Sequence, residues 1–82
     1  RTATQRVVDY LSLLAKEQSA DGAITIRLPT SKSVIASLLD LTPETFSREL
    51  KRLNTMGLIE VGRKSVRILD LQAMQRSVVK TS

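Results

Sequence analysis

Two helical patterns in this sequence are joined by a very short boundary, which constrains the fold more than any other feature. Asp40-Leu41 separates the two patterns, and Thr42 then caps the second helix with Pro43 at its first position. Proline is tolerated there because its missing N–H would have no partner in the first helical turn. This helix is predicted to run from Pro43 to about Thr55, where Gly57 ends it. The other elements therefore have to pack around two helices joined by a tight turn.

Before this pair, the sequence predicts one more helix and a short strand. Thr4 is predicted to cap the first helix, and a turn cluster occupies residues 19–22. Residues 24–28 alternate as a strand does, until Pro29 stops them. Thr30 is predicted to cap the next helix. Apolar side chains recur at helical spacing in both helices: Val7, Val8, Leu11, Leu14 and Ala15 in the first, and Val34, Ile35, Leu38 and Leu39 in the second.

After the pair, two short alternating runs predict a β-hairpin. Residues 58–61 and 66–69 form its strands, and Gly62-Arg63-Lys64-Ser65 joins them as a basic tip. Asp70 is predicted to cap a last short helix that reaches Met74 or beyond. The order helix, strand, helix, tight turn, helix, hairpin is that of a winged helix-turn-helix. The predicted fold is α+β and mostly α, with a three-helix core, a small antiparallel sheet and a basic wing.

Length and composition narrow the function. Residues 1–82 make one small domain, and we interpret it as a piece of a longer protein because it begins at Arg1 without a methionine. Lys and Arg number 13 against 8 Asp and Glu, a net charge of +5 that favours an anionic partner, nucleic acid before a membrane surface. The lack of cysteine and histidine excludes disulfides, thiolate or imidazole metal sites and histidine-based catalysis. No signal peptide or long apolar run is present, so a cytoplasmic domain is expected.

The two faces of the predicted helix 43–55 differ in chemistry. Phe46, Leu50 and Leu53 fall on one side, and Glu44, Ser47, Arg48 and Lys51 lie nearly opposite. A DNA recognition helix needs this division, because its side chains must reach base edges while its back is held. Arg48 could bond O6 and N7 of guanine, Glu44 could accept from N4 of cytosine, and Ser47 is adaptable. The alternative is an ordinary solvated face on which Glu44 and Arg48 form a surface ion pair.

These residues resemble those of a known family. From Arg6 to Asp70 the chain is similar to the C-terminal DNA-binding domain of the Crp/Fnr superfamily of bacterial transcription regulators, most specifically in LTPETFSRELKRL, GLIEV and SVRILD. Glu44, Ser47 and Arg48 resemble the Fnr-type reading triad, which implies a TTGAT-like half-site in an inverted repeat. PETFSR together with RVVDYL is closer still to the Dnr branch, regulators of nitrate and nitric-oxide respiration.

The resemblance carries further expectations and two departures. It implies a homodimer, RNA polymerase as a partner, and an N-terminal sensor domain and dimerisation helix outside this chain. That sensor would bind haem, an iron–sulfur cluster or a cyclic nucleotide, whereas no cofactor is expected in this domain. Asp40 stands where the family's turn usually has glycine, and aspartate adopts a left-handed conformation only at some cost. Pro43 replaces a polar residue, so any contact the family makes from that side chain is absent here.

Further basic and hydroxyl residues are predicted to hold the DNA backbone. In this architecture the second helix crosses the backbone, which places its first residues against phosphates. Arg63 and Lys64 at the hairpin tip suit a phosphate or the minor groove, although a charged tip equally often serves solubility. The predicted backbone contacts are Thr30, Ser31, Lys32, Thr42, Thr45, Lys51, Arg63 and Lys64.

Other functions have less support in the sequence. The stretch Ser77-Val78-Val79-Lys80 spells the SxxK nucleophile motif, but its partner motifs are absent, so no enzymatic activity is expected. A winged helix can also serve protein association, which an apolar exposed face on helix 43–55 would favour. That face is instead polar and charged. A membrane-surface helix would combine a wide lysine-rich face with bulky aromatic residues, and no predicted helix does so.

Overall fold

The computed structural model describes residues 2–18 and 24–79 and confirms the winged helix-turn-helix fold. Within these residues the elements are α1 (Ala3–Gln18), β1 (Ile24–Arg27), α2 (Lys32–Leu38), α3 (Pro43–Thr55), β2 (Ile59–Val61), β3 (Ser65–Ile68) and α4 (Leu71–Val79). The helices α2 and α3 form the tightly joined pair, and β2, β3 and residues 62–64 between them form the wing. No helix in the described ranges is both long and apolar enough to cross a membrane. The turn predicted at residues 19–22 lies outside the described residues.

The central strand β3 pairs antiparallel with both β1 and β2, so the strand order is β1-β3-β2. Ile26 is paired with Val66 and Ile59 with Ile68, and all four side chains are buried on the side that faces the helices. The first two strands are each one residue shorter than predicted, and β3 lies one residue earlier at both ends than the predicted 66–69. The hairpin strand starts at Ile59 because the N–H of Leu58 still donates to Leu53 O at the end of α3, at 3.1 Å.

The core lies between the sheet and the four helices. Phe46 is fully inaccessible to solvent, and Leu50 and Leu53 beside it are buried, as predicted for this side of α3. The five apolar side chains predicted to recur in α1 are also buried. Met74 of α4 closes the core and is fully buried. The packed side of α3 is contacted by α1, α2 and β2.

The predicted apolar face of α2 is only half correct. Ile35 is buried and Leu39 is half-buried, but Val34 is 47% exposed and Leu38 is 69% exposed. Ala36 is buried in their place. The four predicted positions span a face wider than this seven-residue helix buries, because only the strip that includes Ile35 and Ala36 meets the core.

Two helix starts also differ from the prediction. Thr2, not Thr4, caps α1, since its Oγ1 accepts from the N–H of Gln5 at 3.1 Å. Ser31, not Thr30, caps α2, since its Oγ accepts from the N–H of Val34 at 3.3 Å. The predicted caps at Thr42 and Asp70 are confirmed: Thr42 Oγ1 accepts from Thr45 N–H at 3.1 Å, and Asp70 Oδ1 from Ala73 N–H at 3.0 Å.

Helices α2 and α3 end in the same hydrogen-bond pattern. After α2, the N–H of Asp40 donates to Ser37 O at 3.0 Å and the N–H of Leu41 donates to Ala36 O at 2.8 Å. This is the Schellman motif, which requires a left-handed residue at its centre. Asp40 has that conformation, with φ of 61°, and Gly57 takes the same place after α3. The tight turn between α2 and α3 therefore depends on a left-handed aspartate.

Candidate nucleic-acid interface

The polar side of α3 is open to solvent along its first turns. Glu44, Ser47 and Arg48, which we call the reading face, are all exposed, and Lys51 continues it one turn further. Within the described part of the chain, Glu44 and Arg48 form no ion pair with each other. Both side chains can therefore meet an external partner. A guanidinium offers a planar pair of donors there, and the carboxylate offers acceptors.

At the start of α3, two threonines share one hydrogen-bond system. Thr42 Oγ1 accepts from the Thr45 N–H and also donates to Thr45 Oγ1 at 2.8 Å. A threonine hydroxyl has a single hydrogen to donate, so that of Thr42 is used within the helix. Thr42 thus caps α3 and also bonds Thr45, and both threonines remain predicted contacts to the DNA backbone.

The first residues of α2 and the tip of the wing line one open cleft of about 530 Å³. They meet because Arg27 is paired with Ser65, and the N–H of Leu28, the first residue after β1, donates to Lys64 O at 2.9 Å. We call this the cationic cleft, since its lining contains three basic side chains and no acidic one. Its lining residues are Leu28, Pro29, Thr30, Ser31, Lys32, Ser33, Arg63 and Lys64.

A second, smaller cleft of about 190 Å³ lies between α2, α3 and β2. Lys32 lines both clefts, so the two adjoin. The side chains that line the second cleft are Lys32, Ser47, Leu50, Lys51, Asn54 and Val61. Asn54 was not predicted from the sequence, although its spacing of three and seven residues from Lys51 and Ser47 places it on the same stripe of α3. Its amide can both donate and accept.

The predicted site residues therefore fall into two groups. The structure gathers Thr30, Ser31, Lys32, Arg63 and Lys64 around the cationic cleft, and it places Glu44, Ser47, Arg48 and Lys51 along α3. On the outer face of the wing, Arg67 Nη1 lies 3.7 Å from Glu60 Oε1 and takes no part in either group. Among the described residues no cluster of three or more acidic side chains could hold a metal ion. The surface as a whole suits a long anionic partner rather than a small ligand.

Comparison with known proteins places the chain among transcription regulators. Residues 5–77 match the family model of the Crp-like helix-turn-helix domain. The chain is 42% identical over 72 residues to the transcriptional activator protein FnrA of Stutzerimonas stutzeri, covering 85% of this chain and 30% of that protein. It is similar to the structure of FixK2 from Bradyrhizobium japonicum, with a TM-score of 0.82 and 30% identity over 92% of this chain and 37% of that one.

A second structural neighbour is the CO-dependent transcription factor CooA from Carboxydothermus hydrogenoformans in its imidazole-bound form. Its TM-score is 0.81 at 26% identity, over 90% of this chain and 35% of that one. This chain thus spans about a third of the length of the proteins it matches.

Proposed function

This chain belongs to the Crp-like helix-turn-helix family of transcription regulators, which implies DNA binding, and on that basis we propose that α3 reads double-stranded DNA in the major groove. The observation that carries the proposal is the division of α3 into two faces. Phe46, Leu50 and Leu53 are buried, while the reading face is exposed on the opposite side. A helix held from behind in this way can insert its polar side into a groove without losing its packing.

The chemistry of the reading face favours a G·C pair. The Arg48 guanidinium can donate to both O6 and N7 of guanine, and Glu44, one turn earlier, can accept from N4 of a nearby cytosine. Ser47 lies beside them on the same face and can contact flanking A·T pairs. Together with the resemblance of these three residues to the Fnr-type triad, this chemistry supports a TTGAT-like half-site within an inverted repeat.

The two clefts are proposed to hold the DNA backbone. Lys32, Arg63 and Lys64 supply positive charge, and the Ser31 hydroxyl can donate its hydrogen to a phosphate while its oxygen caps α2. Near α3, Lys51, Thr45 and Asn54 can contact a second stretch of backbone. Phosphate contacts of this kind orient the protein on the duplex and add affinity without reading sequence.

The complete regulator is proposed to be a cytoplasmic homodimer that acts together with RNA polymerase. An inverted repeat fits two copies of the domain, because a two-fold symmetric protein reads a two-fold symmetric site. The signal would enter through an N-terminal sensor domain that binds haem, an iron–sulfur cluster or a cyclic nucleotide. No role for a membrane is proposed.

The test is a selection of DNA sequences from a randomised duplex, using this chain fused to a parallel coiled coil that makes it dimeric. Enrichment of TTGAT-like inverted repeats is the expected result. Enrichment of an unrelated motif would reject the half-site but keep sequence-specific binding. No enrichment at any salt concentration would leave protein association, the other known use of winged helices, as the better function.

A further inference from the structure

Glu49 is a charged residue on the inner side of α3. Its side chain is only 9% exposed, and its Oε1 accepts a hydrogen bond from Thr4 Oγ1 of α1 at 2.6 Å. It directly follows Arg48 in sequence. At about 100° per residue it lies at the border between the reading face and the packed apolar side. The reading residue and the buried carboxylate therefore turn together as parts of one rigid helix.

The bond to Thr4 constrains α3 in a way that its apolar contacts do not. Close packing of Phe46, Leu50 and Leu53 already limits how far α3 can rotate, since buried side chains interlock with their neighbours. A hydrogen bond between two oxygens weakens steeply when its distance or angle changes. The Thr4–Glu49 bond therefore adds a directional constraint on the rotation of α3 about its own axis.

Small rotations matter for base reading. A helix with its side chains has a radius of about 5 to 6 Å, so a rotation of about 20° moves a side-chain tip by about 2 Å. A bidentate contact to guanine needs donor–acceptor distances within roughly 2.7 to 3.2 Å. A displacement of about 2 Å, which a rotation of about 20° would produce, would break that contact while leaving the helix in the groove.

The same end of α1 also holds the turn that precedes α3. Arg6 Nη1 donates to Leu39 O at 3.3 Å and lies 3.9 Å from Asp40 Oδ2. Thr4 and Arg6 thus contact the middle of α3 and the turn at its start. These two contacts connect α1, which bears no proposed DNA contact, to the element that reads DNA.

We propose that Thr4 and Glu49 are positioning residues that orient the reading face, so that DNA specificity depends on a pair of side chains outside the interface. This inference rests on the proposed function of α3. The inference predicts different effects on specific and non-specific affinity. Contact with phosphates needs only charge near the backbone, whereas base reading needs a defined orientation of the side chains. Loss of the pair should lower specific affinity and spare non-specific affinity.

Four variants separate orientation from stability. Thr4→Val and Glu49→Leu remove the hydrogen bond with little change in volume, whereas Thr4→Ser and Glu49→Gln keep a donor and an acceptor. Thr25→Val is the matched control, because Thr25 is an exposed threonine on β1, away from the reading face. Dissociation constants of the same dimeric coiled-coil fusion are measured by fluorescence anisotropy for a duplex that the parent enriches and for a scrambled duplex. The temperature is one at which melting curves show every variant to be folded.

We expect Thr4→Val and Glu49→Leu to lower the ratio of specific to non-specific affinity about tenfold, comparable to losing one base contact. The double variant should lose little more than either single one. Thr4→Ser, Glu49→Gln and the control should keep most of the ratio. An unchanged ratio, or equal losses on both duplexes, would show that the bond serves stability alone and would overturn the proposal. A parent that does not distinguish the two duplexes would instead overturn the proposed function, and this inference with it.

Discussion

Asp40 and Gly57 occupy the same position after two successive helices, the first with φ of 61° and the second with φ of 77°. Each is the left-handed residue of a Schellman motif, but only glycine adopts this conformation without steric cost. A Cβ on Gly57 would meet no atom within 4 Å, so any cost of substitution there comes from the backbone itself. The two positions therefore form a natural comparison of the same turn with and without a side chain.

Asp40→Gly should raise the stability of the domain. Relief of the left-handed strain exceeds the added freedom of glycine in the unfolded chain, leaving a net gain of a few tenths to about 1 kcal/mol, or a few degrees in Tm. Gly57→Ala should lower stability by about 1 kcal/mol for the converse reason. Thermal melts and urea titrations measure both. Asp40→Ala is the control, since it keeps the strain and loses the side chain. If Asp40→Gly is less stable than the parent, the contact with Arg6 outweighs the strain.

Phe46→Ala should destabilise the domain severely. The ring is fully buried on the packed side of α3, and its removal leaves a cavity that costs about 3 to 5 kcal/mol. A loss of that size can unfold a domain this small. Circular dichroism melts measure it, with Leu13→Ala as control because Leu13 is 52% exposed. If both variants melt like the parent, Phe46 is not a core residue and the assignment of the two faces of α3 is wrong.

Ala at Lys32, Arg63 or Lys64 should weaken specific and non-specific DNA binding about equally. Each lost phosphate contact lowers the slope of log affinity against log salt by roughly one unit, because fewer counterions are released. Titrations over a series of salt concentrations measure the slope. Arg76→Ala provides the control, since that exposed arginine of α4 lies outside both clefts. Slopes equal to that of the parent would mean that these charges are only solvated.

Glu44→Ala and Arg48→Ala should lose discrimination at the G·C position of the half-site. Losing one good base contact costs about 1 to 3 kcal/mol at the cognate base and leaves non-specific affinity largely intact. Glu44→Ala should still bind DNA, since removing an acidic group does not weaken attraction to phosphates. Parallel selections with the dimeric parent and both variants measure the preference. Identical enrichment in all three would show that these side chains do not read bases.

Local signals in the sequence were sufficient for much of the fold. Thr42, Pro43 and Gly57 delimit α3 by cap chemistry alone, and its thirteen residues are enough to define two faces. The predicted caps of α1 and α2 are wrong, because each start offers two hydroxyl residues and local sequence does not choose between them. At α1 a tertiary contact distinguishes them, since the Thr4 hydroxyl bonds Glu49; at α2 the cap is Ser31, whose oxygen accepts from the Val34 N–H.

The arrangement of the candidate site depended more on long-range pairing. The polar residues of the reading face follow from helical spacing, and their exposure agrees with the prediction. In contrast, the meeting of Lys32 with Arg63 and Lys64 depends on the strand order β1-β3-β2, which no local pattern reveals. Glu49 was missed for the same reason, since the spacing places it at the border of two faces and only α1 supplies its partner.

The bond from the Leu28 N–H to Lys64 O has a consequence for how the domain would respond to the shape of DNA. Because it ties the wing tip to the segment that leads into α2, the backbones that carry the cations on the two sides of the cleft are held close together. On a duplex, the cations on the two sides of the cleft would match one spacing between phosphates better than others. Sequences that widen or narrow the groove at that point would then change affinity although no base there is touched.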